Sequence, residues 1–178
     1  TIKVALLEKI LHYLLENGVQ DLSLRPLAKA VGTNARMLIY HFGSKEGLII
    51  EALELAQQHQ IEALTNTPKP KADGRTELVF LWQWFSSDTF LAFGKLLFEI
   101  EVLAINGNPH YNAFATQTLG GWVSFIQSRF ENCDAGTANI IVNAFSGFLL
   151  DLLITSDEKR VNASFEAFAD LLSKGGKL

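Results

Sequence analysis

The sequence predicts an all-α chain, and three observations predict it. Apolar residues recur at three- and four-residue spacing through most of the 178 residues. Alternating apolar–polar runs of the kind strands need are nearly absent. The breaks between the periodic stretches carry helix punctuation: Asn17-Gly18, Ser23, Gly32, Asn34, Gly43-Ser44 and the Asn106–Pro109 stretch.

The elements follow in order. Leu7, Ile10, Leu11, Leu14 and Leu15 form the stripe of a first helix that ends at Asn17-Gly18. Ser23 is placed to cap a second helix, with Pro26 in its first turn, where a missing N–H costs little. Leu27, Ala28 and Val31 face inward and Gly32 ends it. Asn34 caps a third helix running to about Phe42, and Gly43 closes it. Ser44 caps a fourth, which continues through Leu48, Ala52, Leu55 and Ile61 to about Leu64. Thr65 to Gly74 holds two prolines and no apolar run, so it reads as a loop. Further helices are expected over about Arg75–Ser87, Asp88–Ile105, Tyr111–Phe130, Ala135–Thr155 and Asn162–Ser173.

Composition narrows the function classes. Hydrophobic residues make up 48% and charged residues 19%, a globular balance. Cys133 is the one cysteine, so no intrachain disulfide forms and a reducing compartment is expected. Thr1–Leu15 is amphipathic and lacks a secretory cleavage pattern. The most apolar run, Ile140–Ile154, carries Asn143 and Asp151 and is too short for a membrane span, which needs about 20 apolar residues. No membrane partner is expected. His12, His41, His59 and His110 show no metal-ligand spacing, and no phosphate-cradling glycine loop or nucleophile elbow is present. No catalytic residue, metal or cofactor is therefore assigned, and the chain is not read as an enzyme.

The net charge of −4 conceals a division. Residues 1–47 hold six bases and four acids, a net +2, and the remainder nets −6. The basic part also contains the pattern of a helix-turn-helix: a short helix, the turn Gly32-Thr33-Asn34, and a second short helix able to enter a DNA major groove. With Leu38 and Phe42 turned inward, Thr33, Asn34, Ala35, Arg36, Met37 and Tyr40 are the outward candidates. Arg36 suits guanine O6 and N7, Met37 or Ala35 a thymine methyl, Thr33 and Asn34 phosphate or base, and Tyr40 a phosphate oxygen. Lys45 adds positive charge at a helix start suited to an anion. His41 is read as a core-edge residue with a share in phosphate contact.

The stretch "LAKAVGTNARMLIYHFGSKEGL" (Leu27–Leu48) resembles the DNA-binding head of the TetR family of bacterial regulators. Gly32, Leu38, His41, Phe42, Ser44, Lys45 and Leu48 fall in register with the family pattern, and the resemblance extends over about Ile10–Leu53. One position departs: Ile39 stands where the family usually has a phosphate-contacting tyrosine, and Tyr40 follows it. Arg25 matches a position that reaches a guanine in some members.

The resemblance implies a head (residues 1–47), the fourth helix as connector, and a helical-bundle body (residues 48–178) that binds a small effector and forms a homodimer. It also implies a double-stranded DNA operator, a bacterial cytoplasmic location at the nucleoid, and repression relieved by ligand as the default. For an apolar or aromatic effector the candidates are Trp82, Phe85, Phe98, Glu101, Tyr111, Phe114, Gln117 and Trp122, with an aromatic-rich core as the plainer reading of the same rings. Glu99 is expected to pair with Lys95 along one helix face. For dimerisation, the helix Ala135–Thr155 is apolar on nearly every side and must be covered all round. Its Ile141, Ala144, Phe145, Phe148 and Leu152, with Phe165, Phe168 and Leu172 of the last helix, are the expected seam. A helical carrier of apolar molecules without DNA binding is the alternative function.

Overall fold

The computed structural model describes residues 2–68 and 73–175. Among them every regular element is an α-helix: α1 (Ile2–Asn17), α2 (Leu24–Ala30), α3 (Ala35–Phe42), α4 (Lys45–Asn66), α5 (Gly74–Phe85), α6 (Asp88–Ile105), α7 (Pro109–Arg129), α8 (Ala135–Thr155) and α9 (Glu158–Lys174). The middle of the Thr65–Gly74 loop, residues 69–72, lies outside the described residues. The last helix starts four residues earlier than expected because Asp157 caps it, accepting from the Arg160 N–H at 3.1 Å. Asn108 starts α7 in the same way, accepting from His110 and Tyr111 N–H.

The chain forms two compact units, and their division does not fall at residue 47. The first unit combines residues 1–65 with 92–115, and the second combines 66–91 with 116–178. The fourth helix thus falls in one unit with the head and with residues 92–115. Its Leu48, Ile49, Ala52, Leu53 and Ala56 are buried.

In the first unit, Ile10, Leu14, Leu27, Leu38, Leu48 and Leu53 are wholly buried, a core drawn from all four N-terminal helices. Burying side chains of this size stabilises by roughly 1.5–3 kcal/mol each before conformational entropy is set against it. Two pairs tie α1 to α4 at its rim: Lys3 to Glu51 at 2.7 Å and His59 to Glu8 at 3.5 Å.

In the second unit, α5 packs against α8 and α9. Its core is a chain of rings. Phe85 meets Phe90 at 4.4 Å, Trp122 at 5.3 Å and Phe145 at 5.3 Å, each edge to face. Trp82 stacks on Phe165 at 5.1 Å, and its indole N–H donates to Asn162 Oδ1 at 2.7 Å. Edge-to-face and offset contacts satisfy the ring quadrupoles, so these rings fill space with one another. Arg75 of α5 pairs with Glu166 and Asp170 of α9, and Arg160 bridges Asp151 and Asp157 where α8 turns into α9.

The apolar run expected to be too short for a membrane span lies inside the 21-residue α8. Among the described residues α8 is long and apolar enough, by length and composition, to cross a membrane. Its Ala138, Ile141, Val142, Phe145, Leu149 and Leu152 are buried within the fold, and core helices of folded domains meet the same test.

Candidate nucleic-acid interface

The scaffold of the interface is local. Ser23 sits at the N-cap of α2, yet its side chain makes no capping hydrogen bond, contrary to expectation. The other two caps form as the sequence predicts. Asn34 Oδ1 accepts from the Met37 N–H at 3.0 Å, and Ser44 Oγ accepts from the Gly47 N–H at 2.9 Å. The turn between α2 and α3 closes on the Thr33 N–H donating to the Ala28 carbonyl at 2.8 Å. Gly47 is a residue that sequence reasoning passed over. A Cβ there would stand 2.5 Å from the Phe42 carbonyl oxygen, so only glycine lets α4 close onto the end of α3. The signal was present in the string "FGSKEGL" but resembles ordinary loop glycine usage.

With Leu38 and Phe42 buried, α3 has one direction left for the rest of its side chains. Arg36, Met37, Ile39 and Tyr40 are exposed, Tyr40 at 78%. Arg25 on α2 is exposed as well. Thr33, Ala35, His41 and Lys45 are half-buried at the edge of the same surface. His41 lies edge-on to Tyr40 at 5.2 Å and to Phe42 at 6.2 Å, the core-edge place expected of it. Asn34 is exposed, but its side-chain oxygen already caps α3. The helix therefore offers a guanidinium, a thioether and a phenol together. A guanidinium reads guanine bidentately, and the others suit a methyl group and a phosphate.

The expected effector residues separate between the units. Phe98, Glu101, Tyr111 and Phe114 belong to the first; Trp82, Phe85, Gln117 and Trp122 belong to the second. Trp82, Phe85 and Trp122 are packed ring against ring, which favours the plainer reading of them as core. Gln117 is exposed instead of turned inward. Tyr111 is buried, and burial together with the nearby Glu46 charge pushes its phenol up to about 12. Glu101 is half-buried, and burial pushes its carboxyl above the ordinary value. Among the described residues, no group of His, Cys, Asp and Glu is placed to hold a metal ion.

The expected dimer seam is partly covered within the single chain. Ile141, Phe145, Leu152 and Phe165 are buried in the core of their own chain, and Ala144, Phe148, Phe168 and Leu172 are half-buried beside them. The apolar face that remains open is the opposite side of α8: Ile140 at 55%, Leu150 at 44% and Ile154 at 73% exposed, with Leu171 of α9 at 73%. Gly147 lies along that face, and a Cβ built on it meets nothing within 4 Å. A helix apolar all round has two candidate faces, and α5 and α9 cover the one the sequence reading assigned to a partner.

A short helix-turn-helix among N-terminal helices, in a chain whose described elements are all α-helices, is an arrangement that many DNA-binding proteins use. Residues 6–53 match the family model of bacterial regulatory proteins, tetR family. The similarity to that family lies in the N-terminal helices, the stretch that carries the helix-turn-helix. Similar solved structures extend the likeness in fold to the whole chain. A transcriptional regulator from Rhodococcus sp. Rha1 superposes with a TM-score of 0.83 at 14% identity, over 100% of this chain and 99% of that one. The multidrug binding protein EbrR complexed with proflavin gives a TM-score of 0.73 at 21% identity, over 96% of this chain and 99% of its own. The same protein complexed with ethidium gives 0.73 at 22%, over 93% and 96%. No curated protein sequence matches the chain.

Proposed function

We propose that this chain is a ligand-responsive transcriptional regulator, a homodimer whose two heads read the half-sites of a palindromic operator and release it when a small molecule binds. The observation that carries the reading is the outward face of α3, where Arg36, Met37 and Tyr40 stand exposed on a helix capped by Asn34 and locked to α4 at Gly47. A carrier without DNA binding has no use for that face. The open apolar strip of Ile140, Gly147, Leu150, Ile154 and Leu171 supports self-association, because a strip of large apolar side chains on a long helix is stable once a second copy covers it. Dimerisation sets the head spacing, and half-sites about 34–36 Å apart or a multiple of that follow from successive major grooves.

For the effector, the half-buried Glu101 favours an aromatic molecule that carries positive charge. A desolvated carboxylate gains most from a cation in its vicinity. EbrR, similar in fold, binds proflavin and ethidium, both planar aromatic cations.

Selection from a random duplex library tests the function. Enrichment of a palindrome, bound with an affinity that falls steeply as salt rises, supports a dimeric DNA-binding regulator. Absence of any enriched sequence at low salt, from protein unfolded and refolded to strip bound ligand, leaves the carrier as the better reading.

A further inference from the structure

The α1–α2 loop is held from a distance. The Val19 N–H donates to Glu99 Oε2 at 2.7 Å, and the Gln20 N–H donates to the same oxygen at 3.2 Å, from residues 80 and 79 positions away in sequence. Sequence reading paired Glu99 with Lys95, but the carboxylate turns to the head instead. Gly18 makes room for it. Its φ of +73° is a left-handed conformation, and a Cβ there would stand 2.9 Å from one carboxylate oxygen and 3.0 Å from the other. Gly18 also ends α1 through its N–H to the Leu14 carbonyl at 2.8 Å. Two side chains of the loop, Val19 and Leu22, are buried, while Gln20, Asp21 and Ser23 are exposed. The backbone of this loop is thus fixed on one side by apolar packing and on the other by a single carboxylate of α6.

We propose that Glu99 is a positioning residue for DNA recognition: its carboxylate latches the start of the helix-turn-helix to α6, so that the placement of α2 and α3 follows that of α6. The proposal rests on the regulator reading above. Two backbone N–H groups on one carboxylate make charge-assisted bonds, stronger than neutral ones and directional enough to hold a register. Residues 92–105 of α6 belong to the same compact unit as the head, so the latch works within one body. Glu101 lies two residues further along α6, about 200° around the helix, on a different face. One helix therefore presents one carboxylate to the recognition domain and a second, half-buried one away from it. A shift of α6 that favours one state of the ligand site acts on the α1–α2 loop through Glu99, a two-site coupling of the kind linkage requires.

The test uses the full chain with Glu99→Ala, Glu99→Gln and wild type, read by amide hydrogen exchange and by affinity for the selected operator. For Glu99→Ala the expected result is about tenfold faster exchange at Val19 and Gln20, with Ile10 and Leu14 unchanged, as loss of a local latch and not of the fold. Ligand-free operator affinity falls about three- to tenfold, because heads released from α6 sample a wider range of separations. Glu99→Gln, which keeps an acceptor oxygen, falls between the two. Unchanged exchange at Val19 and Gln20 overturns the proposal, and so does faster exchange with operator affinity within about twofold of wild type. If wild type binds no operator, the regulator reading fails and the latch is judged separately. Nitroxide labels at Lys29→Cys and Val102→Cys, in a Cys133→Ser background, then give a distance distribution that broadens in Glu99→Ala if the latch exists. An unchanged distribution overturns it.

Discussion

Arg129 Nε and Glu77 Oε1 meet at 2.5 Å with both side chains buried in the second unit. The guanidinium also lies 5.8 Å from the centre of the Phe80 ring and 5.9 Å from that of Phe125. A buried pair is costly to desolvate, so its two members depend on each other. Glu77→Leu or Arg129→Met alone is expected to destabilise the chain by about 3–5 kcal/mol, whereas the double change Glu77→Leu/Arg129→Met recovers most of the loss. Urea unfolding of the four proteins measures both effects. Additive losses in the double variant contradict the pairing.

Glu101 stands in the opposite relation to its surroundings, since burial alone raises its carboxyl. A carboxyl raised in the folded state opposes folding increasingly as pH climbs from its unfolded value through its folded one, and the cost is complete above both. Glu101→Gln is therefore expected to be more stable than wild type at pH 7 and equal to it below about pH 4, near the unfolded carboxyl value. Thermal unfolding across pH 3–8 checks the crossover.

The Arg75 contacts give the reverse sign. The Arg75 guanidinium holds Asp170 below the usual carboxylate range. A depressed carboxyl stabilises above its unfolded value and loses that contribution as pH falls through its folded one. Arg75→Ala is expected to flatten the acid side of the stability profile below about pH 4 and to leave the shape above pH 5 unaltered. Both groups are largely in water, so the change is small and shrinks further in high salt.

Self-association is expected to depend on the open face of α8. Leu150→Glu and Ile154→Glu place charge on the strip and are expected to shift sedimentation toward monomer without lowering helicity. Phe145→Ala, in the core, is expected instead to cost about 3–5 kcal/mol of folding stability. A dimer that survives both charge substitutions contradicts the assignment of this face.

How far the sequence was legible follows from the range of each interaction. The caps at Asn34 and Ser44 and the inward turn of Leu38 and Phe42 depend on residues within four positions, and these features were legible in advance. Ser23 looked like the other caps but makes no bond, so residue type alone does not decide. On α8 the pattern carried no direction: with apolar residues on every side, only the packing of α5 and α9 decides that Phe145 faces in and Leu150 faces out. Glu99 was invisible for a related reason. Its partners are backbone groups about 80 positions away, and a backbone N–H leaves no mark in a sequence. The ring-rich stretches signalled large apolar volume without saying whether rings would meet each other, as Phe85 and Trp122 do, or line a space.

The claim that α3 reads bases through Arg36 is tested most directly by base-by-base substitution of the selected operator, titrated with wild type and with Arg36→Ala. Wild type is predicted to lose about 10- to 100-fold in affinity when one particular guanine in each half-site is replaced, and Arg36→Ala is predicted to bind all four bases there within about threefold. Equal discrimination by the two proteins at every position of the operator would contradict the account.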